Sequence, residues 1–126
     1  MKVLWWIAAG GALGAVSRFL VSEWVYGLTG HGFPWGTLVV NVVGSFLMGV
    51  CLILFLERFP IYPGLLSMIL IGFLGAFTTF STFSMDTLNL IDSGTINAAL
   101  INMGVSVVSC LFAVWAGTLV ARLFWP

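Results

Sequence analysis

Charge is what this chain has least of. Among its 126 residues only Lys2, Arg18, Glu23, Glu57, Arg58, Asp86, Asp92 and Arg122 are formally charged, and the cations balance the acids. A water-soluble domain devotes about a quarter of its residues to such groups, so a soluble fold of this length is excluded. No cluster of Lys or Arg is present to neutralise nucleic-acid phosphates, and that class of partner falls away too. The single histidine, His31, lies in a glycine-rich loop with no nucleophile and base beside it, which leaves an enzyme without machinery. Cys51 and Cys110 stand singly in apolar runs without metal-ligand spacing, and read as small buried hydrophobes.

What the chain has instead is apolar surface: 61% of its residues are hydrophobic and its mean hydropathy is +1.18. Polar interruptions divide it into four runs, each close to the roughly 20 residues needed to cross a bilayer. The expected spans are 3–26, 36–56, 64–90 and 95–121, forming a single transmembrane domain over residues 1–126 and an all-α membrane protein. Gly30, Gly32 and Pro34 mark the first connection, Pro60 and Pro63 the second, and Asp92-Ser93-Gly94 the third. Arg122 and Trp125 anchor the last span at the interface. The opening Ala- and Gly-rich run after Lys2 has some features of a cleavable leader, but its apolar character continues past Arg18 through Phe19, Leu20 and Val21. It is read as the first helix. Four spans put both termini on one side, with Lys2, Arg58 and Arg122 there and Arg18 toward the other. That small bias is compatible with insertion in both orientations.

The densest polar feature is Thr78 to Ser84, made only of hydroxyls and phenylalanines inside an apolar run and preceded by Gly72 and Gly75. Lipid contact alone does not call for that composition; a membrane protein that handles a polar solute does. Gly72 and Gly75 allow the third span to unwind near its middle, which membrane depth tolerates only where the backbone is buried in protein or lines a cavity. Phe77, Phe80 and Phe83 step by three, so on a helix they wind around one side with hydroxyls adjacent. Ring edges are electropositive and hydroxyls donate, so the pair suits an anion that has lost part of its water. In the second span Thr37, Asn41, Ser45 and Gly49 recur at four-residue spacing, and in the fourth Asn102, Ser106 and Ser109 share a face. Taken singly, each of these is equally a residue that lets membrane helices pack closely. Ser109, Ala113, Gly117 and Ala121, and Gly10 with Gly14, are expected packing seams.

These residues carry a resemblance over the whole chain. Gly10, Gly11, Gly14 and Arg18, the run Gly36-Thr37-Leu38-Val39-Val40-Asn41 with Gly44-Ser45-Phe46, and above all Gly72 through Ser84 resemble the Fluc family of fluoride ion channels. The resemblance implies passive, fluoride-selective export through an antiparallel homodimer in the cell (inner) membrane, with two pores at the dimer interface and one structural sodium ion. It assigns the backbone carbonyls of Gly75 and Thr78 to the sodium, and Asn41, Phe80, Phe83, Ser81, Thr82, Ser106 and Ser109 to the anion pathway. Arg18 would support the structure or the aqueous vestibule. Where the family commonly has glutamate this chain has Asp86, a carboxylate of shorter reach. The alternative is a small dual-topology, proton-coupled drug exporter, which needs an ionisable carboxylate deep in the membrane. Glu23, Glu57, Asp86 and Asp92 all fall near the expected span ends.

Overall fold

The computed structural model describes residues 2–125, which are mostly helical with no strand among them. Helix α1 is Lys2–Thr29, α2 is Trp35–Ile53, α3 is Pro63–Ser67, α4 is Gly75–Phe77, α5 is Phe80–Asp92 and α6 is Ile96–Phe124. Leu54–Arg58 extends α2 by a π-helical turn, and Met68–Leu74 is a longer π-helical stretch joining α3 to α4. Together they make four helical spans long and apolar enough to cross a membrane, Lys2–Thr29, Trp35–Arg58, Pro63–Asp92 and Ile96–Phe124. The chain is therefore a multi-pass, all-helical membrane protein.

The ends of the spans follow local chemistry. Thr29 donates its hydroxyl to the Val25 carbonyl at 2.9 Å, and Gly30, at φ +77°, turns the chain out of α1. Pro63 opens the third span at a position where a missing N–H costs nothing. At the third connection Gly94 takes φ +81°, and the Thr95 hydroxyl donates to the Leu90 carbonyl at 2.8 Å.

Large side chains point outward, including Phe19, Trp24, Val108 and Leu123, while the interior is made mainly of small ones. Without water between helices the hydrophobic effect cannot hold them together, so close backbone approach does. Gly10 and Gly14 of α1 lie against the carbonyls of Met68 and Phe73, where any Cβ would collide. On the opposite side of the bundle Gly49 of α2 meets the Val114 carbonyl, and Gly117 of α6 meets the Phe46 carbonyl. Ala113, Gly117 and Ala121 are all buried along that line, as their spacing suggested. An exposed ion pair, Arg122 to Glu57 at 3.3 Å, ties the ends of the second and fourth spans.

The backbone of the third span changes character at two threonines. The sequence drew attention to Gly72 and Gly75 as places to unwind; in the structure Gly72 lies in the π-helical stretch and Gly75 is helical at φ −62°. Gly72 serves contact, since a Cβ there would lie 2.6 Å from the Ile7 carbonyl. The extended residues are Thr78 (φ −85°, ψ 158°) and Thr79 (φ −154°, ψ 124°). Both are β-branched, the class that prefers this region.

Candidate functional site

Thr79 is the hub of the polar interior. Leaving the helix strips its N–H and C=O of their usual partners, and at membrane depth those groups must be satisfied inside the protein. Asn41, facing it from α2, satisfies both: Thr79 N–H donates to Asn41 Oδ1 at 2.7 Å, and Asn41 Nδ2 donates to the Thr79 carbonyl at 2.9 Å. The carboxamide thus stands in for a neighbouring strand. The Thr79 side chain then caps α5, accepting from Thr82 N–H at 3.2 Å. Its hydroxyl donates to Thr82 Oγ1 at 3.1 Å, and the Ser81 hydroxyl donates to it at 3.2 Å. Among the described residues no buried side-chain polar atom is left without a partner.

Two cavities meet at this residue. One, of about 460 Å³, is a groove between α2, α5 and α6, lined by Asn41, Ser45, Phe80, Phe83, Ser106 and Cys110 among others, with no charged side chain. The rings of Phe80 and Phe83 lie 5.4 Å apart at 45°. Phe80 is 76% exposed, a large aromatic ring presented outward from the groove of a single chain. The other cavity, of about 660 Å³, opens where α1 ends and α2 begins, and it is polar: Arg18, Glu23, His31, Thr37, Thr82 and Asp86 contribute to its wall. Within it Thr37 donates to Asp86 Oδ2 at 2.6 Å, which leaves its oxygen to accept from the Tyr26 hydroxyl at 3.4 Å. His31 stacks on the Tyr26 ring at 4.8 Å. Thr79 lines both cavities.

The expected site residues distribute between these spaces. Asn41, Phe80, Phe83 and Ser106 share the groove, while Thr82 and Arg18 face the polar cavity. Arg18 also reaches the Thr78 carbonyl, its Nη1 3.5 Å away. Ser81 is exposed and lines neither cavity. Ser109 lies on another side of α6, donating to the Val105 carbonyl beside shallow apolar hollows, and the neighbouring Cys110 occupies the groove wall instead. Phe77 departs from the three-residue aromatic step because the extended threonines intervene. It is buried and stacks on Phe73 at 5.9 Å.

Gly75 and Thr78 carry a consequence of the same interruption. The donor that would serve the Gly75 carbonyl in a continuous helix is Thr79 N–H, which is given to Asn41. The donor that would serve Thr78 is Thr82 N–H, which is given to the Thr79 hydroxyl. Both carbonyls are released from the helix, and neutral oxygens of this kind suit a hard monovalent or divalent cation. Thr79 and Cys110 are the site residues that sequence reasoning passed over. Threonine is among the residues favoured at a helix N-cap, and that preference was the available signal for Thr79.

Comparison with known proteins agrees with this architecture. Residues 5–118 match the family described as CrcB-like protein, Camphor Resistance (CrcB). The chain is similar to proteins named fluoride-specific ion channel FluC from Magnetococcus marinus, 52% identical over 94% of this chain and 96% of that protein, and from Hydrogenovibrio crunogenus, 49% identical over 94% and 89%. A third, from Hahella chejuensis, is 49% identical over 94% of this chain and 93% of its own length. With matches of that extent, running from α1 through most of α6, the chain belongs to the CrcB-like, or Fluc, family.

Proposed function

We propose that this protein is a fluoride-selective channel that lets fluoride leave the cell passively across the inner membrane. The observation that carries the reading is the charge-free groove of aromatic rings, an amide and a hydroxyl, joined at Thr79 to a charged, polar cavity. Relatives about half identical to it are named fluoride-specific ion channels. A small anion entering a narrow path loses a large hydration energy and needs closely placed donors. Partial positive charge on amide, hydroxyl and ring edges supplies them without the trap a buried Lys or Arg would set.

In this reading Arg18 and the polar cavity form the vestibule where the anion is still hydrated. Thr82 and Ser81, at the start of α5, receive it near Thr79. Phe80, Phe83, Asn41 and Ser106 then carry it along the groove, with Ser109 further along the fourth span. The outward ring of Phe80 is supported by a second copy of the chain, and we propose an antiparallel homodimer with two pores at its interface. The Gly75 and Thr78 carbonyls would hold the central sodium ion, whose fixed positive charge would tie the two interrupted spans together. The chain's own contribution is the Asn41 clamp, which takes the Thr79 N–H and so keeps the Gly75 carbonyl out of the helical ladder.

A proton-coupled exporter is disfavoured because no carboxylate lines the groove. The test is fluoride-electrode measurement of efflux from proteoliposomes, with chloride as control. The wild-type chain is expected to release fluoride and retain chloride. Phe80→Ile with Phe83→Ile is expected to lower fluoride efflux by about 100-fold or more, the scale expected when a required transition-state contact is lost. Unchanged efflux in the double variant would reject the anion path.

A further inference from the structure

Behind the groove wall runs a hydrogen-bond chain that the permeation path leaves unused. Ser106 on α6 donates its hydroxyl to Asn102 Oδ1 at 3.3 Å. Asn102 Nδ2 donates to Thr87 Oγ1 at 2.9 Å, and Thr87 Oγ1 donates to the Phe83 carbonyl at 2.8 Å. Asn102 is 2% exposed and touches neither cavity, while Ser106 and Phe83 both line the groove. The chain thus begins on one groove residue, passes through the interior, and ends on the backbone of another, coupling α6 to α5. All its donors point the same way, so each bond polarises the next.

Direction matters because a serine hydroxyl has one hydrogen. Here that hydrogen is turned inward toward Asn102 across a long 3.3 Å contact, so Ser106 offers the groove chiefly oxygen lone pairs. A passing anion needs the hydrogen. For Ser106 to give it, the hydroxyl must rotate away from Asn102 and leave a buried amide oxygen unpaired, which is unfavourable. The donor is therefore available only in part.

We propose that Asn102 is a positioning residue for anion passage: by holding the Ser106 hydrogen, it keeps Ser106 a weak and reversible donor, so that the ion is bound and released. This rests on the fluoride-path reading above. It explains why an expensive buried carboxamide stands one helical turn from the groove wall, where an apolar residue would pack without cost. Conduction requires binding that is adequate for entry and weak enough for exit.

The experiment is unitary current against fluoride concentration for the full-length protein in planar bilayers. Asn102→Ala frees Ser106 to donate, so the half-saturating fluoride concentration is expected to fall by about threefold to tenfold, the worth of about one hydrogen bond, while maximal current also falls. Adding Ser106→Ala to Asn102→Ala removes the freed donor and is expected to reverse that fall. Thr87→Val cuts the chain beyond Asn102 but leaves the Ser106 acceptor in place, so only the polarisation is lost and half-saturation should fall by less than about twofold. If Asn102→Ala does not yield folded protein, Asn102→Leu fills the lost volume and is read the same way. An unchanged or raised half-saturation in the position-102 variant overturns the proposal, as does a fall that persists without Ser106. A simple packing role would reduce folded yield and leave half-saturation alone. Absence of fluoride current in the wild type would instead remove the channel reading itself, a result distinguishable from either.

Discussion

The two cavities that meet at Thr79 solve opposite problems with different side chains. The polar cavity has Arg18 on its wall with Glu23 and Asp86, and the Thr37 hydroxyl on that wall is tied to the Asp86 carboxylate. The groove has no charge, and its polar groups are an amide, hydroxyls and a thiol set among rings. Full charges act over a distance and in water, raising or lowering the local concentration of an ion. Partial charges act at contact, where water has been stripped away. In the proposed channel this division at a single residue would let attraction and selection use different side chains. Variants on the two sides of Thr79 should therefore fail differently.

The largest effect is expected at the boundary itself. Asn41→Leu removes both bonds to Thr79 and leaves a buried N–H and C=O unpaired, at a cost of about 2–5 kcal/mol. Fluoride efflux should fall by about 100-fold, the equivalent of about 2.7 kcal/mol, with a lower melting temperature of the purified protein. An efflux rate near wild type would mean that the extended threonines do not need the clamp. Next comes Arg18→Gln, which removes the cation from the polar cavity and its contact with the Thr78 carbonyl. A loss of about threefold to tenfold is expected, diminishing at high ionic strength because salt screens a charge at a polar, solvent-facing mouth. If the loss were the same in high salt, the role of Arg18 would be structural and not electrostatic.

Asp86→Asn should move conduction the other way. It removes a negative charge from the mouth while keeping an oxygen for Thr37, and a rise of about twofold in low salt is expected. A fall would place Asp86 in direct service to the ion. The smallest effect belongs to the exposed pair at the opposite end of the bundle. Glu57→Gln breaks the contact with Arg122, both partners being about half exposed. Stability should change by about 0.5 kcal/mol or less, measurable by thermal melting, with efflux unaffected.

Much of this comparison could be read in the sequence, for identifiable reasons. Scarce charge and four apolar runs forced four membrane helices, because a bilayer leaves no other arrangement for such a backbone. The seam of Ala113, Gly117 and Ala121 was legible from four-residue spacing, since helix periodicity alone decides which residues share a face. Periodicity also misled. Phe77 fell in step with Phe80 and Phe83 only on an unbroken helix, and two extended threonines turn it into the core against Phe73. The resemblance assigned Ser109 to the pathway, and Cys110 was read only as a small buried hydrophobe. Neighbouring residues on a helix point about 100° apart, and it is the thiol that faces the groove. The bond from Asn41 to the Thr79 backbone joins residues far apart in the chain, and no local pattern announces it. Glycines drew attention to Gly72 and Gly75, yet the conformational change falls where β-branched residues prefer extended backbone.

The central claim is that a groove without charges selects fluoride. It is tested most directly by the reversal potential of single channels in a planar bilayer with potassium fluoride on one side and potassium chloride on the other. The account predicts reversal far from zero, in the sense and at the magnitude set by fluoride alone. Reversal near zero would mean that chloride passes equally well or that potassium carries the current, and either would contradict it.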